Sequence, residues 1–443
     1  MANQTPSNDA RTCALDLIDF ITASPTPAHC VLESVVRLGA HGFTELCERE
    51  TWKLEPGASH YVIRDGSLIA FRVGSEPAPS AGFRLIGAHT DSPNLRVKPN
   101  ADVRSHGYMQ LGVETYGGLL SYTWLDRDLG LAGRVMTRKD NKLTDHLVRI
   151  DRPILRVPSL AIHLNRKIRT EGLKLNAQKH LPPLLGLCNG DNEASALKDL
   201  LGKEIGVDAR DILSWDLSLM DTTAPILGGL NEEFIFAPRM DNQAMCHAAL
   251  CALLSAEVSG STQVICLYDH EEVGSRSASG AAGALVEDVL RRLAEISGPG
   301  SEPGGLTRAA AGSIQISADM AHGVHPNYSD RHDPQHMPHL NKGPVIKINT
   351  EQRYATDAYT AGVFELLCLE LDIPFQKFIN RTDLSCGSTI GPISASRLGV
   401  RTVDVGNPML SMHSIREQGG RDDPARMVAV MTSFLQTRDF YIG

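Results

Sequence analysis

Two short segments of this 443-residue sequence place metal-binding and proton-moving residue types side by side. His89-Thr90-Asp91 follows the apolar run from Phe83 to Ala88, and Asp269-His270-Glu271-Glu272 follows Val264-Ile265-Cys266-Leu267-Tyr268. In the first, the two-residue period of a strand puts His89 and Asp91 on one face. An imidazole there can bind a metal while Asp91 accepts a hydrogen bond from the other ring nitrogen and fixes the ring. A His-x-Asp on its own is more often a histidine satisfying a loop. In the second segment, neighbouring acids usually mark a solvated face. At the carboxyl end of a core strand, however, their burial and repulsion call for a counter-charge such as a metal. One Glu can then bind the metal while the other works as base. Three single residues could complete a site: Asp241 at the foot of a predicted helix, Asp319 after the alternating strand Ser313 to Ala318, and His413 in Met412-His413-Ser414. The set offers two histidines and three carboxylates at element ends, which suits a pair of divalent ions with mixed nitrogen and oxygen ligands, such as zinc.

Competing chemistries lack their residues. The position four after His270 is Gly274, which excludes the helical His-Glu-x-x-His arrangement. There is no Gly-x-Ser-x-Gly elbow, and the Gly/Ser/Ala run from Gly274 to Gly283 lacks the lysine and spacing of a phosphate loop. The histidine-rich tract through His322, His325, His332, His336 and His339 is broken by Pro326, Pro334 and Pro338, so it reads as a loop near the site and not as a third metal centre. Nine cysteines, an odd number without a Cys-x-x-Cys pair, suit reduced thiols in a cytosol better than a disulfide framework.

The elements that must hold these residues are legible in outline. Asp9 is placed to cap a helix through Leu17, Ile18 and Ile21, which Pro25 and Pro27 end, and a second helix covers Cys30 to Leu38. Strands are expected over Tyr61 to Val73 and Phe83 to Ala88. Residues 95 to about 232 are richer in β-like pieces, among them Met109 to Thr115, Gly133 to Met136 and Ile154 to Leu164. Beyond them come a helix from Arg239 to Ala256, a continuous apolar strand from Gln263 to Tyr268, and an amphipathic helix from Ala284 to Ile296 closed by Gly298. The linker-like tract runs from Ser297 to Gly305. This rhythm predicts a layered α/β fold, with a central mixed sheet flanked by helices and a β-rich insertion interrupting it. The expected domains are 1–94 with 233–443, and 95–232.

Composition closes off other functions. The net charge is −9 with no basic block, so the electrostatic footprint for nucleic acid or an anionic membrane is missing. No stretch reaches the roughly 18 apolar residues of a membrane span, and the opening residues lack the pattern of a signal peptide. A soluble cytoplasmic protein is expected.

In order along the chain, Gly87-Ala-His-Thr-Asp-Ser-Pro93, Asp269-His-Glu-Glu-Val-Gly-Ser275, Ala321-His-Gly-Val-His-Pro-Asn-Tyr328, Gly343-Pro-Val-Ile-Lys-Ile-Asn349 and Met412-His-Ser-Ile-Arg-Glu417 resemble the aspartyl aminopeptidase family of metallopeptidases. Ser24-Pro-Thr-Pro-Ala-His29 and Leu160-Ala-Ile-His-Leu-Asn-Arg166 fit the same family. The resemblance implies a two-zinc exopeptidase that removes N-terminal Asp or Glu from peptides, with Mn2+ or Co2+ able to substitute for zinc. It also implies an inserted dimerisation domain and assembly into a tetrahedral homo-dodecamer. Carried over position by position, Asp241 bridges both ions, His89 and Asp319 complete one, and Glu272 and His413 complete the other. Glu271 is the general base and Asp91 orients His89. The bond after the bridging Asp is cis in related two-zinc peptidases, so a cis Asp241–Asn242 bond is expected. His163 is either a metal ligand or a substrate contact supplied by a neighbouring subunit; the second is favoured, because five other residues already serve two ions. A histidine in a β-strand at a subunit contact is the plainer reading of it. Lys347 looks like the cation that receives the substrate's acidic side chain, with Lys377 and Arg381 as runners-up, although an exposed-edge lysine is the plainer reading.

Two rival functions share these residues. A carboxypeptidase or deacylase can use the same five-ligand core with a different pocket, and a non-catalytic self-assembling receptor could keep the shell of the fold. Substrate preference separates the first, and chelation followed by a peptidase assay separates the second.

Overall fold

Phe83–His89 and Thr262–Tyr268 are buried at every position, as strands covered on both faces must be. The computed structural model describes residues 10–188, 195–296 and 304–437. Asp9, Gly298 and residues 297–303 of the linker-like tract lie outside the described residues. Two compact units make up the chain. The first comprises the chain up to Asp91, Pro225–Met412 and the chain from Glu417 onward; the second comprises Ser92–Ala224 and His413–Arg416.

The first unit is built on a nine-stranded mixed sheet. Its strands run in the order Thr44–Glu45, Ser59–Arg64, Ser67–Arg72, Thr262–Tyr268, Phe83–His89, Ile314–Ala318, Arg401–Gly406, Val345–Ile348 and Gln376–Ile379. The middle four are mutually parallel. Alternation along them sorts side chains to two faces. Ile86, Ala88, Ile265, Leu267, Ile316, Val403 and Val405 meet helices Ala10–Ala23, Pro27–Ala40, Met240–Ser255, Ala358–Glu370 and Asp423–Gln436. Phe83, Leu85, Val264, Cys266 and Tyr268 meet Leu285–Ile296, Gly305–Ala311 and Ile390–Leu398 on the other face. A smaller five-stranded sheet contains Ala321–His322, Pro408–Leu410 and Glu417–Gly420. The second unit is a six-stranded antiparallel sheet around its own core of residues such as Leu95, Leu131, Val148 and Leu217.

Two strand expectations change. Tyr61 to Val73 divides into Ser59–Arg64 and Ser67–Arg72 around a turn at Asp65 and Gly66, where Asp65 takes a φ of 55°. Ile154 to Leu164 is not one strand. Lys142–Leu155 ends there, and Ile162, His163 and Leu164 form an exposed turn. Beyond Leu155 only single bridges at Arg156 and Val157 continue, and from Pro158, which has no N–H to give, to Leu164 the chain is exposed without a partner strand. His163 is therefore not in a β-strand.

Candidate metal centre

Most of the candidate residues lie at the carboxyl ends of three neighbouring parallel strands. His89 is the last residue of Phe83–His89, Asp319 directly follows Ile314–Ala318, and Glu271 and Glu272 lie in the single turn Glu271–Val273 just beyond Thr262–Tyr268. Open α/β sheets keep their ligands at this edge. Asp241 comes from another element, the start of helix Met240–Ser255, where Asp241 and Asn242 depart from helical φ/ψ and the bond between them is cis.

Side-chain hydrogen bonds fasten that helix start to the strand ends. Asn242 Nδ2 donates to the Ala318 carbonyl (2.8 Å), Gln243 Nε2 to the Thr90 carbonyl (2.8 Å) and Cys246 Sγ to the His89 carbonyl (2.9 Å). The Asp241 N–H donates to Glu417 Oε2 (3.1 Å), which ties the strand Glu417–Gly420 to the same point. His89 Nδ1 donates to the Asp91 carbonyl at 3.0 Å and lies 3.4 Å from the Asp91 carboxylate, which leaves Nε2 facing the acids. That carboxylate also accepts from the N–H groups of Glu271 (3.0 Å) and Glu272 (3.1 Å), so one acid sets both the histidine ring and the glutamate turn.

Around His89 Nε2 stand Asp241 Oδ1 at 3.5 Å, Asp319 Oδ1 at 3.8 Å and Glu271 Oε2 at 3.9 Å. Donor atoms of His89, Asp241 and Asp319 lie within 4.8 Å of one another, as do those of His89, Glu271 and Glu272. Like charges at about 4 Å repel by roughly 4 kcal/mol per pair at an effective dielectric near 20, so converging acids of this kind need a cation. The electrostatics reflect that need. Burial disfavours a charged His89, yet Asp241, Asp319 and Asp91 hold its pKa well above the ordinary value. Burial, with Asp319, Asp91 and Asp241 nearby, pushes the Glu271 carboxyl up to about 8. An imidazole nitrogen among carboxylate oxygens is a donor set that zinc accepts.

The remaining candidates have definite places. His413, with a φ of 66°, lies between the strands Pro408–Leu410 and Glu417–Gly420, and its Nδ1 donates to the Gly118 carbonyl (3.1 Å), leaving Nε2 as the ligand-competent nitrogen. His163 belongs to no group of metal donors among the described residues. Lys347 is not an edge lysine. It is 2% exposed, inside the sheet, with Nζ 3.1 Å from the Met320 carbonyl, 3.6 Å from Asp319 Oδ2 and 5.2 Å from the centre of the Tyr354 ring. Lys377 pairs with Glu365 (2.9 Å) and Arg381 with Asp383 (2.6 Å). Sequence reasoning gave no role to Glu417, Asn242 or Gln243. Glu417 closes one of the motifs given above, and its signal was a lone acid at the head of the glycine-rich strand Glu417–Gly420.

A profile of the aminopeptidase I zinc metalloprotease (M18) family matches residues 20–435. The chain belongs to the M18 aminopeptidase family. Among its relatives, a probable M18 family aminopeptidase 2 of Pseudomonas aeruginosa (strain LESB58) is 50% identical over 423 residues, covering 94% of this chain and 96% of the relative. One of the same description from Pseudomonas fluorescens (strain SBW25) is 49% identical over 427 residues, covering 96% and 98%. Among solved structures, the M18 chain is similar to a chain in the cryo-EM structure of the Ape4 and Nbr1 complex, with TM-score 0.93, 41% identity and coverage of 98% and 87%. It is likewise similar to the S. cerevisiae mApe1 dodecamer, with TM-score 0.83, 32% identity and coverage of 96% of each chain. As an M18 zinc metalloaminopeptidase the protein is a hydrolase, and no described helix is long and apolar enough to cross a membrane.

Proposed function

We propose that this M18 aminopeptidase removes N-terminal Asp or Glu from peptides, using two zinc ions and Glu271 as general base. The observation that carries the reading is the His89 imidazole ringed by Asp241, Asp319 and Glu271, with the buried Lys347 ammonium 3.6 Å from Asp319. His89 and Asp319 would hold one zinc, Glu272 and His413 the other, and Asp241 both. When bound, the metal supplies Lewis acidity toward the scissile carbonyl and lowers the pKa of water. His413 suits this assignment because its loop joins the strand whose Glu417 accepts from Asp241 N–H.

The protein's own groups do the rest. Glu271, anchored by its N–H to Asp91, takes a proton from the attacking water and delivers it to the leaving amine. Asp91 fixes the His89 tautomer. Lys347 receives the acidic side chain of the first residue; as a buried cation it has reason to bind an anion. Carboxylates at the site hold the free α-amino group, which confines cleavage to chain ends. His163, on an exposed turn, is proposed to reach the substrate of a neighbouring copy and to help stabilise the oxyanion. Residues 95–232 are proposed as the inserted dimerisation domain and a homo-dodecamer as the assembly, a reading supported by the dodecamer among the similar structures. Nine free cysteines favour a cytoplasmic setting.

The test compares hydrolysis of Asp-, Ala- and Leu-anilides by the zinc-loaded protein. A preference for Asp supports the reading, and a preference for Ala or Leu overturns the acidic pocket.

A further inference from the structure

One buried acid lies beside the proposed pocket without belonging to the metal centre. In the sheet, Lys347 stands opposite Asp404, and Asp404 stands level with Ser317 on its other side. Directly paired residues share a face, so Lys347, Asp404 and Ser317 form a polar row across three strands. Their chain neighbours Ile346, Val403, Val405, Ile316 and Ala318 fill the core on the opposite face.

Asp404 is 0% exposed, and its carboxylate is held from three directions. Ser317 Oγ and Thr389 Oγ1 donate to Oδ1, each at 2.6 Å, and Ala355 N–H donates to Oδ2 at 2.6 Å. The Asp404 N–H in turn donates to Thr356 Oγ1 at 2.9 Å. A Cβ on Gly391 would come within 2.2 Å of Asp404 Oδ2, so a glycine is required where the helix Ile390–Leu398 begins against the carboxylate. Burial raises the pKa of Asp404, against the lowering effect of Lys347 and the three donors. A carboxylate so enclosed is costly unless its oxygens are occupied, and the donors that occupy them come from the strand Ile314–Ala318, the residue before the helix Ile390–Leu398 and the segment that follows Tyr354. Ala355 directly follows Tyr354, whose ring lies 5.2 Å from Lys347 Nζ. The same acid therefore fixes the strand beside Lys347 and the loop that carries its aromatic neighbour.

We infer that Asp404 is a positioning residue for substrate selection, holding Lys347 and the Tyr354 wall in the geometry that receives an acidic first side chain. This rests on the reading of Lys347 as the acid-binding cation. The test measures the ratio of kcat/KM for Asp-anilide to that for Ala-anilide in the zinc-loaded wild type and in the variants Lys347→Met, Asp404→Asn and Thr389→Val. Asp404→Asn removes the charge but can still accept from Ala355 N–H; Thr389→Val keeps the charge and removes one donor. The ratio should fall about tenfold in Asp404→Asn, near the low end for hydrogen bonds to a charged group, and about threefold in Thr389→Val, where the carboxylate keeps its other donors, chiefly through KM for the acidic substrate. Equal losses on both substrates, or a ratio within twofold of wild type, would show that Asp404 only braces the fold. Should Asp404→Asn fail to fold, Thr389→Val decides alone. A collapsed ratio in Lys347→Met with an unmoved ratio in the other variants defeats the role of Asp404 only. A wild type without acidic preference defeats the reading of Lys347, and this inference with it.

Discussion

Replacing Glu271 by Gln separates a proton carrier from a structural acid, because the two roles predict opposite effects on stability. The side chain keeps its size, and the N–H of residue 271 still donates to Asp91 Oδ1 at 3.0 Å, so the turn is not disturbed. What disappears is the capacity to take a proton, worth about 10²- to 10⁴-fold in rate, or about 3 to 5 kcal/mol of barrier. Burial and the neighbouring acids already push the Glu271 carboxyl up to about 8 in the absence of metal, so near pH 7 Gln replaces a mostly protonated acid of the same shape. The chelated variant should therefore melt no lower than chelated wild type. Zinc content by elemental analysis should match wild type, since Glu271 is not a proposed ligand, while kcat for Asp-anilide falls at least a hundredfold. A kcat within tenfold of wild type would refute the base assignment. A parallel loss of zinc and of melting temperature would show Glu271 to be a ligand or a brace.

Other outcomes follow from single sites. Lys347→Met should lower the Asp-to-Leu selectivity of anilide hydrolysis by about tenfold or more, the value of a hydrogen bond to a charged group, whereas Lys377→Met, already engaged by Glu365, should leave it within twofold. His247 is buried, which lowers its pKa, but Cys251 and Asp16 raise it to about 9. Its protonated form thus contributes stability that is fully present below about pH 6.5 and is lost as the pH rises through 9. The melting-temperature gap between wild type and His247→Gln should shrink between pH 6.5 and pH 9.5, and a constant gap would contradict the ion pair with Asp16 at 2.6 Å. Leu250→Ala, at a fully buried position of helix Met240–Ser255, should cost about 2 to 5 kcal/mol in denaturant unfolding without changing zinc stoichiometry.

Much of the fold could be read from local pattern. The apolar runs ending at His89 and Tyr268 announced central strands, and the paired prolines after Ala23 announced the end of the first helix, because burial on two faces and a missing N–H act within a few residues of sequence. The run through Leu164 misled for the opposite reason. Alternating apolar residues say nothing about whether a partner strand is present, and Leu160 and Leu164 stand exposed.

The residue types at the strand ends pointed, without coordinates, to metal chemistry by His and carboxylate side chains, which the M18 family match supports, and to the proposal that Glu271 and Glu272 divide the work between them. Only the tertiary structure decided that Lys347 is interior, that one Asp91 carboxylate serves both the His89 ring and the glutamate turn, and that Asp404 stands in a row with Lys347. Chemistry is written in side chains, which a sequence states outright. Burial, register and the sharing of one acceptor by two distant segments arise from packing between parts of the chain that the sequence does not place side by side.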